Sequence, residues 1–456
     1  MQDKALQKAR RSFLAAITGV PLARLLAGQG TRDRTADQQA LALHGGKPVR
    51  VTGGLSSSYP GTDFYDDAEQ RELMEALESR SLFRWYGPNT PKKVAAFEEG
   101  FARFMGTKYV LAVTSGTAAL HVALTALDVG PGDEVILPAW TWYSCYNAIL
   151  LTGALPVFAE VDNSFSIDPE DIEKKITPRT KAVMVVHLHG CPAEMDKILA
   201  VARKHHLRVL EDAAQSVGAQ YKGRRLGAIG DIGIYSFQIS KTITAGEGGA
   251  VVTNDPLLFE RASRFHDLGI LRPGHETALG KAGMAWFVGT NYRMNEMTGA
   301  VMCAQLRKLE TLLGRFRRNF RLVKEQIQSL PGIKLRYSPD PEGEIGLAVY
   351  PVLETNELRD KFVKALRAEN APASAPPGSP FLPAVPYIEK KVVPHANWPS
   401  FNSSHGKTMR YGSTCCPRTL DLRNRAVYIP IGPRYSESDT RDIVAAIKKV
   451  QRALVG

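Results

Sequence analysis

From about residue 97 onward, the chain alternates short apolar runs with longer amphipathic segments. The apolar runs are brief and rich in β-branched residues, which is typical of strands buried on both faces. They read YVLAVTS, EVILPA, LPVFAEV, AVMVVHLHG, RVLEDAA, IGIYSF and GAVVTN. The segments between them, such as PEDIEKKI and MDKILAVARKHH, have a helical period. This alternation predicts an α/β protein whose largely parallel sheet is covered by helices on both faces.

Longer patterns predict how the chain is divided. The segment from Asn295 to Leu330 is helical in period throughout, and it predicts one long helix that joins a large domain to a smaller one. We expect residues 1–45 to form a leader or tail, residues 46–331 the large domain and residues 332–456 a small C-terminal domain. The segment ENAPASAPPGSPFLPAVPY is rich in proline and alanine and predicts a loop at a substrate entrance.

Composition fits this picture. A chain of 456 residues with 44% hydrophobic and 23% charged content is typical of a globular protein with about two domains. Its five cysteines are irregularly spaced and include no CxxC pair, which argues against both a disulfide framework and a zinc site. They favour buried thiols in a reducing compartment, and we expect no bound metal.

The formal net charge of +12 is unevenly distributed. The first 50 residues contain nine Lys and Arg against three Asp and Glu, so they contribute half of the excess. The mildly basic remainder suits an anionic substrate such as a phosphate ester. No basic run is interleaved with aromatic residues, so nucleic acid is not an expected partner.

The first 30 residues allow two interpretations. Arg10 and Arg11, followed by Phe13 and Leu14, resemble a twin-arginine export signal. Arg24, however, interrupts the apolar stretch that such a signal requires, which favours an amphipathic or disordered N-terminal tail. We therefore expect a cytoplasmic protein, with export of the folded chain through a twin-arginine signal as the alternative. No segment approaches the 18 or so uninterrupted apolar residues of a membrane helix, so no membrane span is expected.

In parallel sheets, ligands bind at the carboxyl ends of the strands. The first run leads into Ser115-Gly116-Thr117, which open a predicted helix whose free N–H groups and dipole can hold a phosphate. The run RVLED ends in Glu211 and Asp212. Taken singly, these are ordinary residues, because hydroxyls and acids at strand ends often serve only as helix caps.

Two other runs add a cation and aromatic rings. The run IGIYS delivers Ser236 and, five residues later, Lys241, while EVILP leads to Trp140, Trp142 and Tyr143. A lysine in a glycine-rich turn is usually solvated, and such rings are usually core. Together, however, a phosphate cradle, an aromatic face, a carboxylate and an amine form the set that pyridoxal phosphate requires.

Four motifs in order, TSGTAALHVAL, EDAAQSVGA, SFQISKTITAGEGGAVVTND and GTNYRMNEMTGAV, resemble those of the DegT/DnrJ/EryC1/StrS family of sugar aminotransferases. The resemblance covers roughly residues 60–450. It implies a fold-type-I pyridoxal-phosphate-dependent transferase, with a mainly parallel seven-stranded sheet in the large domain and a smaller C-terminal α/β domain. It also implies a homodimer with active sites at the subunit interface.

The resemblance also implies roles for individual residues. Lys241 would be the Schiff-base lysine and proton carrier, and Asp212 would pair with the pyridine nitrogen. Gln215 would lie near the phenolic oxygen of the cofactor, and Trp142 would stack on its ring. Five further residues would hold the phosphate: Gly116, Thr117, Ala118 through its N–H, Ser236 and, from the partner subunit, Asn291.

The implied reaction is a ping-pong transamination from glutamate or glutamine to a keto sugar. The stretches HLHGCPAEMD and SFQISKTITAGEGG favour the keto-inositol branch of the family over the nucleotide-sugar branch, and both acceptors stay open. Tyr86, Tyr143, Arg293 and His405 are candidate substrate residues. A pyridoxal-phosphate-dependent dehydratase or epimerase, and a non-catalytic cofactor-binding protein, are the alternatives.

Overall fold

The computed structural model describes residues 40–55, 59–276 and 287–456. Its centre is a seven-stranded sheet, and each of the seven apolar runs forms one strand. The strands are β1 (Tyr109–Val113), β2 (Glu134–Pro138), β3 (Leu155–Ala159), β4 (Thr180–Val186), β5 (Arg208–Asp212), β8 (Ile232–Ser236) and β9 (Gly249–Thr253). A small hairpin of β6 (Gln220–Tyr221) and β7 (Arg224–Arg225) lies between β5 and β8 in the sequence.

The strand order is β1-β9-β8-β5-β4-β2-β3. The pairings among β3, β2, β4, β5 and β8 are parallel, whereas β9 runs antiparallel to both of its neighbours, β8 and β1. The other six strands of the sheet therefore point in one direction, and their carboxyl ends meet at one edge. The prediction of a mainly parallel, seven-stranded sheet is confirmed.

Helices cover both faces of the sheet. They are α1 (Asp67–Glu78), α2 (Lys93–Met105), α3 (Gly116–Ala126), α4 (Tyr143–Leu151), α5 (Pro169–Lys175), α6 (Met195–Lys204), α7 (Pro256–His266) and α8 (Glu296–Ile327). The predicted long helix is α8. It begins after Asn295, whose side-chain oxygen accepts the N–H of Thr298 at 2.9 Å and so caps the first turn.

The pleat of the strands separates two apolar cores. In β1, Leu111 and Val113 belong to the core beneath α3, α4 and α7, whereas Val110 and Ala112 belong to the core beneath α2, α6 and α8. This alternation follows from the two-residue period of a strand. The phenylalanines of α2 line the second core, with Phe97 and Phe101 fully buried, as their spacing indicated.

A third core lies in the C-terminal part of the chain. It is formed by α9 (Asn356–Ala368), α14 (Glu437–Leu454) and the last turns of α8. Two short strand pairs accompany it, β10 (Lys334–Leu335) with β12 (Pro351–Val352) and β11 (Ala348–Val349) with β13 (Ile429–Pro430). Between these elements lie α10 (Pro386–Glu389), α11 (Pro399–Asn402), α12 (Ser404–Thr408) and α13 (Pro417–Arg425).

The first described residues pack on this C-terminal core and not on the sheet. Leu41 is buried within it, and the carboxylate of Glu369 accepts the N–H groups of Ala42 (2.8 Å) and Val49 (2.9 Å). The predicted division placed these residues in a leader and in the large domain. Their contacts join them to the C-terminal part, because the buried carboxylate of Glu369 binds these backbone donors.

Conversely, some of the short helices between residues 386 and 425 pack on the sheet and not on the C-terminal core. Ile388 of α10 and Leu422 of α13 lie in the first core of the sheet, although the sequence assigned them to the small domain. Arg10 and Arg11 lie outside the described residues. Within the described part of the chain, no helix is both long and apolar enough to cross a membrane.

Glu211 of β5 is fully buried and binds the backbone of the turn that precedes β8. Its carboxylate accepts backbone N–H groups of Gly227 (2.8 Å), Ile229 (2.6 Å) and Gly230 (2.6 Å), and it lies 2.9 Å from Nε2 of His187. Burial alone would raise the pKa of this carboxyl, but the hydrogen bonds from His187 and the backbone hold its pKa below the usual value. The turn that leads into β8 is therefore tied to β5.

We expect Glu211→Gln to lower the free energy of unfolding by about 2–4 kcal/mol, because the amide turns an NH₂ group toward buried donors. The urea midpoint, followed by fluorescence, measures this loss. Glu310→Gln, which removes an exposed ion pair with Arg225, is the control and should leave the midpoint unchanged.

The effect of Glu211→Gln should depend on pH. Because the folded-state pKa of Glu211 is lowered, its contribution is present above the usual carboxyl pKa of 4.5 and is lost as the pH falls through the folded-state value. The gap between wild type and variant should therefore narrow in acid. A gap of constant size from pH 7 to the acid limit of folding would contradict this account of the carboxylate.

Candidate active site

The carboxyl ends of β5 and β8 bring the candidate residues together. Because successive residues of a strand face opposite sides of a sheet, Glu211 points into the second core and Asp212 points the other way. Asp212 lies at the carboxyl end of β5, and Ser236 ends the adjacent strand β8. Lys241 follows five residues later, in a turn where its N–H donates to the carbonyl of Gln238 at 2.9 Å.

Asp212 is a buried carboxylate held by two donors. Its Oδ1 accepts the N–H of Ala214 at 3.0 Å, and its Oδ2 accepts the thiol of Cys145 at 3.1 Å. The Oγ1 of Thr141 lies 3.2 Å from the same sulfur. Burial raises the pKa of Asp212, and burial also raises the pKa of the Cys145 thiol, which therefore stays protonated and donates. Among the described residues, Asp212 forms no ion pair.

Lys241 is the lysine whose positive charge acts on this carboxylate and opposes the rise in its pKa. Burial lowers the pKa of Lys241, and the negative charge of Asp212 opposes that shift. In the part of the chain that the structure describes, no atom accepts a hydrogen bond from its Nζ. A desolvated amine without a partner loses its proton more readily, and the neutral form is the one that attacks a carbonyl.

The start of α3 forms a polar cradle beside the end of β8. Gly116 lies so close that a Cβ on it would stand 2.7 Å from the Cβ of Ser236, and only glycine allows this approach. The Oγ1 of Thr117 is 2.7 Å from Oγ of Ser144. The N–H of Ala118 donates to the capping Oγ of Ser115 at 3.1 Å, so in this structure it is part of the helix cap.

Gln215 connects the site to two residues that the sequence analysis did not identify. Its Oε1 accepts the N–H of His189 at 3.1 Å, and its Nε2 donates to Oγ of Ser379 at 3.4 Å. His189 could have been suspected from the sequence, because it is the second histidine of HLHG, which follows a predicted strand. Ser379 gave none, because its approach to Gln215 depends on residues 164 positions apart.

His189 adopts a left-handed backbone conformation, with φ of 50°, which is uncommon for a residue with a side chain. Its Nδ1 is hydrogen-bonded to the hydroxyl of Tyr350, another residue that the sequence analysis missed. Burial, followed by the positive charges of Arg336 and Lys241, lowers the pKa of His189 to about 3. The imidazole is therefore neutral beside Lys241.

Trp142 and Tyr143 stand at the start of α4. The Trp142 side chain is 46% exposed, and its ring lies edge-on to Tyr143 at a centroid distance of 5.0 Å. Trp140, by contrast, is completely buried, and its Nε1 donates to the carbonyl of Ser379 at 3.0 Å. The exposed face of Trp142 is available for stacking, whereas Trp140 is a core residue.

Three further candidates lie together at the edge of the sheet beyond β1. Arg293 forms an ion pair with Asp267 and lies over the ring of Phe83. The centroid of the Phe83 ring is in turn 4.6 Å from that of Tyr86. Asn291 is exposed and forms an isolated β-bridge with Asp267. Tyr86 is 64% exposed. This group is open to the outside of the chain.

His405 lies elsewhere. Its Nε2 contacts the carboxylate of Glu134, the first residue of β2, at the amino end of the strand. Parallel strands present their ligand sites at the opposite edge. The structure therefore does not bring His405 together with Lys241 and Asp212, because Glu134 holds its imidazole at the far side of the sheet.

Several known proteins are similar to this chain in sequence or in fold. The DegT/DnrJ/EryC1/StrS aminotransferase family matches residues 65–448. The chain is 34% identical over 395 residues to the spore coat polysaccharide biosynthesis protein SpsC of Bacillus subtilis, covering 84% of this chain and 94% of that protein. It is 32% identical to a protein of Streptoalloteichus tenebrarius named as an L-glutamine:3-amino-2,3-dideoxy-scyllo-inosose aminotransferase, covering 90% and 98% of the two chains.

A solved structure agrees with these relatives. The aminotransferase from Psychrobacter cryohalolentis superposes with a TM-score of 0.73 at 30% identity, covering 88% of this chain and all of that one. The match extends over both the sheet and the C-terminal part. The chain belongs to the DegT/DnrJ/EryC1/StrS family of sugar aminotransferases, whose members are pyridoxal-phosphate-dependent transaminases.

Proposed function

We propose that this protein binds pyridoxal phosphate and transfers an amino group from glutamate or glutamine to a keto sugar or keto-cyclitol. One observation carries the proposal. A buried carboxylate, Asp212, and a half-buried amine, Lys241, lie at adjacent strand ends, and neither forms an ion pair within the described residues. Two such groups are costly to keep in a folded chain unless a ligand complements them.

The residues present fit the cofactor. Asp212 would face its ring nitrogen, and a protonated nitrogen would supply the positive charge that the buried carboxylate lacks. Thr117, Ser236 and the first turn of α3 would hold the phosphate, which favours a helix N-terminus. Gly116 permits the close approach, and the exposed face of Trp142 would stack on the ring, with Gln215 beside it.

When bound, pyridoxal phosphate supplies an electron sink for the carbon–hydrogen bond broken next to the amino group. The protein supplies the proton transfers. Nζ of Lys241 would accept the α-proton of the amino donor and return a proton to the product, and its lowered pKa suits this role. His189, neutral and held by Tyr350 and Gln215, would line the wall beside that amine.

The acceptor is proposed as one of two related classes. SpsC is named for polysaccharide synthesis and the Streptoalloteichus relative for an inosose, so a nucleotide-linked keto sugar and a keto-cyclitol are both supported. Tyr143 and His189 are the described residues that we place nearest such a substrate. Tyr86 and Arg293 would contribute from the open edge beyond β1.

We also propose that the active protein is a homodimer. Asn291 is exposed in the single chain, although the resemblance implies a phosphate contact across the subunit interface. An interface at this edge would bury Asn291 and bring it to the site of the partner subunit. In this arrangement neither subunit has a complete phosphate site alone.

The first test is spectroscopic. Protein reconstituted with pyridoxal phosphate should show a visible absorption band, and borohydride should fix the cofactor on the peptide that contains Lys241. Adding glutamate or glutamine should convert the band to that of the aminated cofactor and release a 2-oxo acid.

Lys241→Arg should lose turnover by about 1,000-fold or more, whereas exposed Lys222→Arg, which keeps its pairing with Asp196, should not.

Other results would select the rival functions. A visible band that neither amino donor changes would favour the non-catalytic cofactor-binding protein, and a missing band after reconstitution would contradict cofactor binding itself. Conversion of a keto sugar without release of a 2-oxo acid would instead identify a dehydratase or epimerase. The amino donor that produces the faster spectral change is the donor of this protein.

A second prediction concerns the sulfur beside Asp212. Cys145→Val should weaken pyridoxal phosphate binding by about 3- to 10-fold, because losing the thiol donor disfavours the charged carboxylate and raises the pKa of Asp212 further. Cys145→Ser keeps a donor and should bind as wild type does. Asp212→Asn should lose about 100-fold or more in kcat/KM.

Equilibrium dialysis with the chromophoric cofactor gives the binding constants, and circular dichroism confirms that each variant is folded. Equal affinity of the valine and serine variants would remove Cys145 from this role.

A further inference from the structure

The turn that carries Lys241 is held from outside at one residue, Thr244. Within the turn, the carbonyl of Phe237 accepts the N–H of Ala245 at 3.1 Å and the hydroxyl of Thr244 at 2.8 Å. Thr244 is fully buried, so its own backbone N–H and carbonyl need partners. Both partners are side chains from distant parts of the chain. The position of the turn therefore depends on those side chains as well as on β8 and β9.

Gln305 of α8 binds the N–H of Thr244. Its Oε1 accepts that N–H at 3.3 Å, and its Nε2 donates to Oε1 of Glu69 at 2.7 Å. Nζ of Lys308 lies 2.9 and 2.7 Å from the two carboxylate oxygens of Glu69 and so completes the network. Gln305 is fully buried, and both ends of its amide are bound. It therefore connects the lysine turn to α1 and α8.

The segment before α1 packs against the same turn. The hydroxyl of Tyr65 donates to the carbonyl of Thr244 at 2.9 Å. A Cβ on Gly61 would stand 2.8 Å from Cγ2 of Thr244 and 3.1 Å from the carbonyl oxygen of Lys241. The φ of Gly61 is −67°, which any residue adopts, so the close contact with the turn is the reason that glycine is favoured here.

We propose that Gln305 is a positioning residue for the reaction and that, together with Gly61, it sets where the amine of Lys241 stands. The inference rests on the proposed function. Gln305 binds the turn three residues beyond Lys241 and acts only through its backbone. An amine that attacks a carbonyl and carries protons must be placed accurately, since a displacement of about 1 Å can cost about 100-fold in rate.

The polar character of Gln305 is what the positioning requires. An apolar side chain of similar size would fill the same space but would leave the buried N–H of Thr244 without an acceptor. A buried donor without a partner is costly, and the turn can recover a hydrogen bond only by moving. Loss of the amide should therefore displace Lys241 as well as lower stability.

The first experiment measures the lysine itself in the full chain, before any cofactor is added. Competitive labelling with acetic anhydride over a range of pH, followed by peptide mass spectrometry, gives the pKa of Lys241, with exposed Lys222 as the reference. In wild type, burial holds this pKa below its usual value of 10.5. Gln305→Met and Gly61→Ala should each raise it toward that value, because a displaced turn exposes the amine to water.

Asp212 and neutral His189, the groups whose charge or ring lies near the amine, are unchanged in both variants. A change in the titration of Lys241 therefore reports a change in its position. In the reconstituted protein, kcat should fall by about 10-fold or more in both variants, while the KM for the amino donor stays within about 3-fold.

Matched controls accompany each variant. Gln326→Met changes an exposed glutamine of the same helix that contacts Lys448, and Gly130→Ala places a methyl group in open space. Both should behave as wild type. Adding Thr244→Ser to Gly61→Ala removes the Cγ2 that the new methyl group meets and keeps the hydroxyl, so the double variant should recover most of the lost kcat.

A purely structural role gives a different result. If Gln305→Met lowers the urea midpoint but leaves the titration of Lys241 unchanged, the glutamine stabilises the fold without positioning the lysine, and the proposal is wrong. Should that variant not fold, unchanged labelling and unchanged kcat in Gly61→Ala would overturn the proposal instead. Failure of the proposed function is separate, since wild-type protein with pyridoxal phosphate would then show no spectral change with either amino donor.

Discussion

Glu211 and Asp212 are neighbours in β5, and the pleat of the strand sends their carboxylates to opposite faces of the sheet. Glu211 binds three backbone N–H groups and His187, and this ties the turn before β8 to the middle of the sheet. The strand that follows carries Ser236 and leads to Lys241. Asp212 faces the other side, where Cys145 holds it. The relative position of carboxylate and amine therefore depends on one buried acid that has no direct part in the chemistry.

The site differs from the rest of the molecule in how its charges are satisfied. Elsewhere many buried ions are paired, as Arg336 is with Glu344 and Glu369 with Lys449, while buried Glu296 accepts three backbone N–H groups. At the carboxyl edge of the sheet, Asp212 and Lys241 have no ion pair among the described residues. Such groups reduce the stability of the unliganded fold, and a bound ligand that complements them recovers it. Functional sites commonly concentrate this kind of local cost.

The local sequence was sufficient to predict a strand or a helix wherever its hydrophobic pattern repeated along the chain. All seven apolar runs became strands because each is long enough to cross the sheet and apolar on both faces. The cap of α3 and the long helix α8 were also predictable, since a helix start and its period are written in adjacent residues. The same holds for the order of Asp212, Ser236 and Lys241 at strand ends. The contacts of Glu369 with Ala42 and Val49 were not predictable in this way, because they span 327 and 320 positions.

The sequence by itself determined the fold class, the order of the motifs and the chemical types of the groups at the strand ends. It did so because hydrophobic period and strand termination are local properties. Only the tertiary structure decided which distant groups meet there: Tyr350 on His189, Ser379 on Gln215 and Cys145 on Asp212. It also carried His405 to the opposite edge of the sheet, against Glu134. These contacts depend on how helices and loops pack across the sheet, and no spacing along the chain encodes a packing distance.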